Sequence, residues 1–377
     1  MKKFRMLLVS GMALVLGACV QPPLPEVELG VDGGNLDVNT AVLNDLTIGY
    51  CNTILPYVSS PTRGLVYSHL QNRFDIEELE LSMMRVAARS MDECYFRDGQ
   101  YLSREFVSEL LRPGSDISLN PEHGSTHLID GEDVGSTAEN PVIHLAYVLE
   151  QNYVTLTEDN EVELDTLSIA LALNPYHVVV DRSIGFTSRL QMNDREILAI
   201  GEDIAAELLS MLREQPGLEE VPIIFGLYIL QASNEVVPGR LAQISTVASG
   251  SSSVGSWESI NERHFMLPDS GINEYDLNLI DEFNFFEQSL SLHFPHFFSM
   301  IGMAHFFEGN LQNLEITVNI PFYGLAEKLS FHQIAGDLIT HFSDEYNVTV
   351  IVRNNTTIHG VIIRAPFSDP VITRVNW

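Results

Sequence analysis

Positive charge is scarce in this chain. Lys and Arg account for 20 of 377 residues, against 51 Asp and Glu, and the formal net charge is -31. Three of the few cations, Lys2, Lys3 and Arg5, crowd the N-terminus. A surface this negative repels nucleic acid and anionic lipid headgroups, so neither is expected as a partner. The acids are spread along the chain, which suits a salt- or alkali-tolerant surface better than one dedicated acidic patch. Long apolar runs are missing too. None reaches the roughly 18 residues that a membrane-spanning helix needs. Cysteine is sparse, with three residues, and no Cys spacing resembles a metal knuckle.

What is present begins with a tripartite leader. Lys2, Lys3 and Arg5 form a basic region, Met6 to Leu16 an apolar one, and Leu16-Gly17-Ala18-Cys19 closes it with small residues before a cysteine. Charge that stays inside, a segment too short to span stably, and an accessible bond after Ala18 define a lipoprotein signal peptide over residues 1–18. Cleavage between Ala18 and Cys19 would leave a diacylated Cys19, whose two chains suffice for stable anchoring on the outer face of the cell membrane. Signal peptidase is the partner this implies. Residues 19–45 follow with Gln21-Pro22-Pro23-Leu24-Pro25 and a Gly- and Asp-rich stretch, the composition of a solvated tether.

At roughly 150 residues per domain, the remaining length suits two globular units. A break near Ser183–Asn193 divides them into residues 46–185 and 186–377. Apolar spacing predicts helices from Asp75 to Met91, from Asp194 to Glu214, and after a Ser330/Gln333 cap. Asn140-Pro141 predicts a further helix through Leu145 and Leu149. Hairpins are expected around Glu158–Asn160, Glu308-Gly309-Asn310 and Asn354-Asn355. Val221–Leu230 is nearly all apolar and predicts a central strand covered on both sides. Pro113 to Asn140 is expected to be a long surface loop. The mixture lacks regular βαβ alternation, so the fold class expected is α+β, two units of antiparallel sheets and hairpins packed on helices, in an arrangement compatible with divergent duplication.

Ordered stretches then carry a family likeness. Tyr50-Cys51-Asn52-Thr53-Ile54-Leu55-Pro56-Tyr57 with Arg63-Gly64-Leu65 opens the series. Asp98-Gly99-Gln100-Tyr101-Leu102, Leu149-Glu150-Gln151-Asn152-Tyr153 and Ser168 through Asn174 continue it. Val221-Pro222-Ile223, Val237-Pro238-Gly239, Gly250 through Trp257 and Ile320-Pro321-Phe322-Tyr323-Gly324 complete it. Together they resemble the CamS family, the sex-pheromone precursor lipoproteins of Gram-positive bacteria. The resemblance implies that part of the leader, here Met12-Ala13-Leu14-Val15-Leu16-Gly17-Ala18, is trimmed by a pheromone-processing protease and released as a signal to conjugative-plasmid donors. It carries over no chemistry for the mature chain.

No catalytic constellation stands out, and a non-enzymatic binding or interaction module with no cofactor and no metal is expected. Gly250-Ser251-Ser252-Ser253-Val254-Gly255 has the wrong spacing for a nucleophile elbow. With Trp257 and Arg63 it forms the candidate ligand-contact set, balanced against an ordinary loop and an ion pair. The alternative is an extracellular hydrolase of cell-envelope polymers, which requires Ser251, Ser252 or Ser253 to meet His264. His293 and His296, and His123 and His127 beside Asp130, Glu132 and Asp133, lack a ligand ladder and are expected to be structural or solvated. Cys51 and Cys94 form either one disulfide or two buried thiols, and spacing alone does not decide.

Overall fold

The computed structural model describes residues 51–54, 56–65, 72, 75–91, 94–129, 131–156, 162–181, 185–232, 234–294 and 298–374. The leader, the lipidation position, the tether and the turn at Glu158–Asn160 lie outside the described residues.

The first layer is built from β1 (Asn52–Thr53), α1 (Asp75–Ser90), β2 (Tyr95–Asp98), α2 (Arg104–Leu111), the small hairpin β3 (Thr126–Ile129) and β4 (Glu132–Gly135), and the long pair β5 (Leu145–Leu156) and β6 (Val162–Leu173). A second small hairpin, β7 (Tyr176–Asp181) and β8 (Phe186–Gln191), leads into α3 (Asp194–Arg213), β9 (Ile223–Ile229), β10 (Arg240–Val247) and β11 (Glu258–Ser259). Seven strands make one sheet in the order β1-β2-β5-β6-β9-β10-β11. β5 pairs antiparallel with β6, and α3 carries the chain across to β9, which pairs parallel with β6.

The second layer comprises β12 (Glu262–Leu267), α4 (Leu279–His293), β13 (Ser299–Phe307), β14 (Asn310–Asn319), α5 (Leu325–Leu338), β15 (Asn347–Asn354), β16 (Thr357–Arg364) and β17 (Val371–Arg374). Its six strands run in the order β12-β13-β14-β15-β16-β17. α5 makes the crossover between parallel β14 and β15. Both sheets therefore contain a hairpin, a helical crossover and a second hairpin. The fold is α+β.

Alternation along the strands separates the cores. In β6 and β9, Ile169, Leu171, Phe225 and Leu227 face α2 and α3, whereas Ala170, Ala172, Ile224 and Tyr228 face Leu79 and Met83 of α1. Successive strand side chains point to opposite faces, so the seven-stranded sheet is covered on both sides. That is why Val221–Leu230 reads as continuously apolar. α4 and α5 cover one face of the six-stranded sheet with Phe283, Phe286, Leu290, Phe331 and Ala335. Phe307, from its other face, packs into the α1 core. α1 thus contacts both sheets.

Several expectations need correction. Asn140-Pro141 does not start a helix, and Leu145 to Leu156 is a strand paired to β2 and β6. Its apolar run is that of a doubly covered strand, which helical spacing mimics over one turn. The last helix starts at Leu325, with Gly324 at its cap, so Ser330 and Gln333 lie inside it. The supposed loop 113–140 contains β3 and β4, whose Ile129 and Val134 reach the main core. The break placed near Ser183–Asn193 coincides with no change of sheet. β9, β10 and β11 join strands that precede it, and the second sheet starts at Glu262.

Candidate functional site

Polar groups concentrate where α1 meets the second sheet. Glu78, Ser82 and Arg85 recur at helical spacing along one face of α1. Glu262 and His264 alternate on β12, and His305 lies directly opposite His264 on β13. The facing register stacks the two imidazoles, with centroids 4.6 Å apart and planes 21° from parallel.

Glu262 is the hub and is fully buried. Its carboxylate accepts from Ser82 Oγ at 2.8 Å, the Leu241 backbone N–H at 2.9 Å, Arg85 Nη1 at 3.0 Å and His305 Nε2 at 2.9 Å. One side chain thereby joins α1, β10, β12 and β13. Arg85 also donates to Glu78 Oε1, and His264 Nε2 lies 3.5 Å from that oxygen. Burial alone would raise both carboxyl pKa values. At Glu262, the His305 hydrogen bond and charge, with the Arg85 charge, outweigh burial and hold the carboxyl below its ordinary range. At Glu78, the His264 hydrogen bond and the Arg85 charge likewise outweigh burial and hold the carboxyl well below its ordinary range. Burial and the nearby Arg85 cation push His305 down, toward the neutral imidazole whose Nε2–H donates to Glu262.

Ligand-type atoms of Glu78, His264 and His305 lie within 4.8 Å of one another. Sequence reading assigned no metal ligands, and this trio has the donors of a borderline cation site. Arg85 changes its character. The guanidinium bonds both carboxylates and supplies the positive charge a metal ion would bring. The arrangement as built is an ion-pair network tying two sheets through one helix.

The same helix starts at a second buried carboxylate. Asp75 accepts from the Gly239 N–H at 2.7 Å and, at 3.4 Å, from the Gln231 N–H and the Tyr228 hydroxyl. Burial pushes its pKa up to about 6 against these donors. A Cβ at position 239 would run into the Ile229 carbonyl, so Val237-Pro238-Gly239 needs its glycine for close approach. Arg240 follows, paired with Asp194 at the start of α3.

Beside this lies a cleft of about 210 Å³ lined by Tyr176, Asp194, Pro238, Arg240, Arg263 and His264, among others. A second cleft, of about 250 Å³, contains Arg63, Glu80, Asp98 and Glu150. There Arg63 pairs with Asp98 at 3.2 Å and lies over the Tyr57 ring at 5.4 Å. Glu150 is bound by its own chain. The N–H groups of Gln100, Tyr101 and Leu102 each donate to it at 2.9 Å. Two of the ordered sequence stretches are therefore halves of one structural clasp.

The other sequence candidates are dispersed. Ser251 Oγ donates to the Ser253 carbonyl at 2.9 Å, and the Ser251 carbonyl accepts from Arg213 Nε at 2.9 Å. Ser252 is exposed, and Gly250 has φ +64°, the left-handed conformation of a tight turn. Val254 and Trp257 pack on the α3 side of the first sheet, whereas His264 joins the α1 side. The serines and His264 do not meet. His293 Nδ1 bonds the Ser289 carbonyl at the end of α4, and His296 is outside the described residues. His127 bonds Ser125 and meets the buried His144 edge-on at 5.6 Å. Asp130 is outside the described residues, and His123, Glu132 and Asp133 are exposed. Cys51 and Cys94 are joined in a disulfide with Cα atoms 4.8 Å apart.

Known proteins share this architecture. The crystal structure of a sex pheromone precursor from Lactobacillus salivarius subsp. salivarius UCC118 superimposes with a TM-score of 0.77 at 18% identity, covering 89% of this chain and 98% of that one. The C-terminal domain of the sex pheromone staph-cAM373 precursor from Staphylococcus aureus gives 0.67 at 21% identity, covering 81% and 99%. At these identities the likeness speaks for the fold. No curated protein matches in sequence. The family model described as CamS sex pheromone cAM373 precursor matches residues 57–370, most of the chain. The chain therefore belongs to the CamS sex pheromone precursor family.

Proposed function

We propose that this protein is a lipid-anchored extracellular precursor whose leader yields a short signalling peptide and whose mature body binds a ligand. Signal peptidase cuts after Ala18, Cys19 holds the chain on the outer membrane face, and a second protease trims Met12–Ala18 to the released peptide. The observation that carries the reading is the coincidence of two independent features. Leu16-Gly17-Ala18-Cys19 closes a complete lipoprotein leader, and the family match begins shortly after it, at residue 57. Ser251 is held against Arg213 at the end of α3 and His264 against Glu78 of α1, which supports binding over hydrolysis for the mature body.

Mass spectrometry of the native host tests both halves. The expected result is diacylglyceryl on Cys19 in the membrane fraction and a discrete peptide ending at or near Ala18 in the supernatant. An intact, unlipidated N-terminus would refute the anchoring. Lipidated Cys19 with no such peptide would refute the precursor role while leaving the anchor standing.

A further inference from the structure

The cleft beside the ion-pair network inverts the composition of the chain. Acids outnumber bases 51 to 20 overall, yet two guanidiniums, Arg240 and Arg263, line this cleft with one carboxylate, Asp194. Asp194 is 62% exposed, and it pairs with Arg240. Arg263 Nη1 donates to the Glu262 carbonyl at 2.8 Å, a neutral acceptor. Burial and the neighbouring Arg263 charge both push the Arg240 pKa down, so the two cations feel each other across the cleft. His264 lines the same space, with its side chain 3% exposed and its Nε2 turned to Glu78.

An anion answers both charge observations. It would neutralise the excess guanidinium and relieve the like-charge approach. Guanidinium forks match the planar oxygens of carboxylate and the tetrahedral oxygens of phosphate. Ile229 and Leu230 on β9 and its end, with Val237 and Pro238, add apolar wall. The volume of about 210 Å³ is below the roughly 300 Å³ at which drug-sized pockets begin, so the ligand is a small molecule or the end of a longer one. We propose that this cleft is the ligand site of the mature body and takes a small molecule bearing a carboxylate or phosphate group. This rests on reading the mature body as a binding module and gives that module a ligand class.

Isothermal titration calorimetry on the full mature chain tests it, with inorganic phosphate in one arm and N-acetylalanine, a free carboxylate, in the other. Saturable binding is expected in at least one arm, and the tighter arm identifies the anion chemistry. Arg240→Gln and Arg263→Gln are each expected to weaken binding about tenfold or more, the loss of one charge-assisted hydrogen bond. Arg112→Gln, at an exposed pair with Glu109 on a distant helix, is expected to leave binding unchanged. Because Arg240 also contacts α3, near-UV circular dichroism confirms that each variant is folded, and Arg263→Gln repeats the test without touching Asp194. Heat in neither arm, or equal binding by both folded variants, overturns the proposal. Lipidation and peptide release are read by mass spectrometry, so they stand or fall separately.

Discussion

Arg85→Met is the most informative single perturbation of the network between the sheets. Methionine keeps the aliphatic stem of Arg85 and deletes the charge that bonds both Glu78 and Glu262. Glu262 would retain Ser82, the Leu241 N–H and His305, so the carboxylate is not wholly orphaned. Breaking a buried pair by removing one partner costs about 3–5 kcal/mol, and the remaining donors place this case near 3 kcal/mol. Thermal unfolding followed by circular dichroism at pH 7 should show Tm lowered by about 4 °C. The pH dependence carries a sharper test. In the parent, Glu78 and Glu262 titrate below their unfolded values, so their stabilisation is present above about pH 4.5 and is lost as pH falls through the folded values. Losing the guanidinium removes one of the causes that hold both carboxyls down, while the histidine hydrogen bonds remain, so the variant loses less stability than the parent as pH falls. The gap between parent and variant should therefore narrow on acidification. Adding Glu262→Gln to Arg85→Met should cost less than the two single losses summed. A loss under about 1 kcal/mol, or a gap that stays constant between neutral and acid pH, would refute the network as described.

Other perturbations read other parts of the fold. Asp75 titrates near 6 when folded against about 4 unfolded, so charging it opposes folding as pH rises through that window. Asp75→Asn, which keeps an oxygen for the Gly239 N–H, should flatten the fall in stability between pH 4 and 6, a contribution of up to about 3 kcal/mol. Denaturant titrations across that range check it, and a variant curve parallel to the parent's would count against the buried charge. At Gly99, an added Cβ would come within 2.6 Å of Glu150, whose carboxylate is clasped by three backbone N–H groups and cannot swing away. Gly99→Ala should therefore cost about 2 kcal/mol by overpacking, measured by chemical denaturation, whereas a neutral outcome would mean the clasp yields. The Cys51–Cys94 bridge closes a separation of 43 residues, for which loop entropy predicts about 4 kcal/mol. Replacing both cysteines by serine should lower the unfolding midpoint by that equivalent, and a midpoint insensitive to the change would mean the segment ahead of α1 is held by other contacts.

The legible parts of the fold were those whose pattern has one meaning. The Ile197, Ile204 and Leu208 stripe of α3 fits only a helix, and the structure adds an Asn193/Glu196 capping box at its start. The turns at Glu308-Gly309 and Asn355 adopt positive φ, as hairpin chemistry requires. β5 was misread because a strand covered on both faces loses its alternation and, over one turn, resembles a buried helix. The network was harder to see. Glu78 stands three residues after Asp75, where a capping box would place an acid, and points its charge at Arg85. Glu78, Ser82 and Arg85 make a polar stripe that a single helix shows equally well toward water. His264 and His305 are 41 residues apart and become neighbours only through the register of β12 on β13. The available signal was the i, i+2 placement of Glu262 and His264, which puts both on one face of β12 and calls for polar partners there.

The connection between Ser82 and Glu262 spans 180 residues. During synthesis, α1 emerges early, but the strands that neutralise its charged stripe come last. Until β12 and β13 arrive, Glu78 and Arg85 must stay in water, so that flank of α1 cannot close. A chain stopped after β11 lacks Glu262, His264 and His305, the partners that α1 meets in the six-stranded sheet. Completion of the C-terminal half is thereby written into the N-terminal half as a checkpoint, and long-range closure of this kind makes the final step of folding slow.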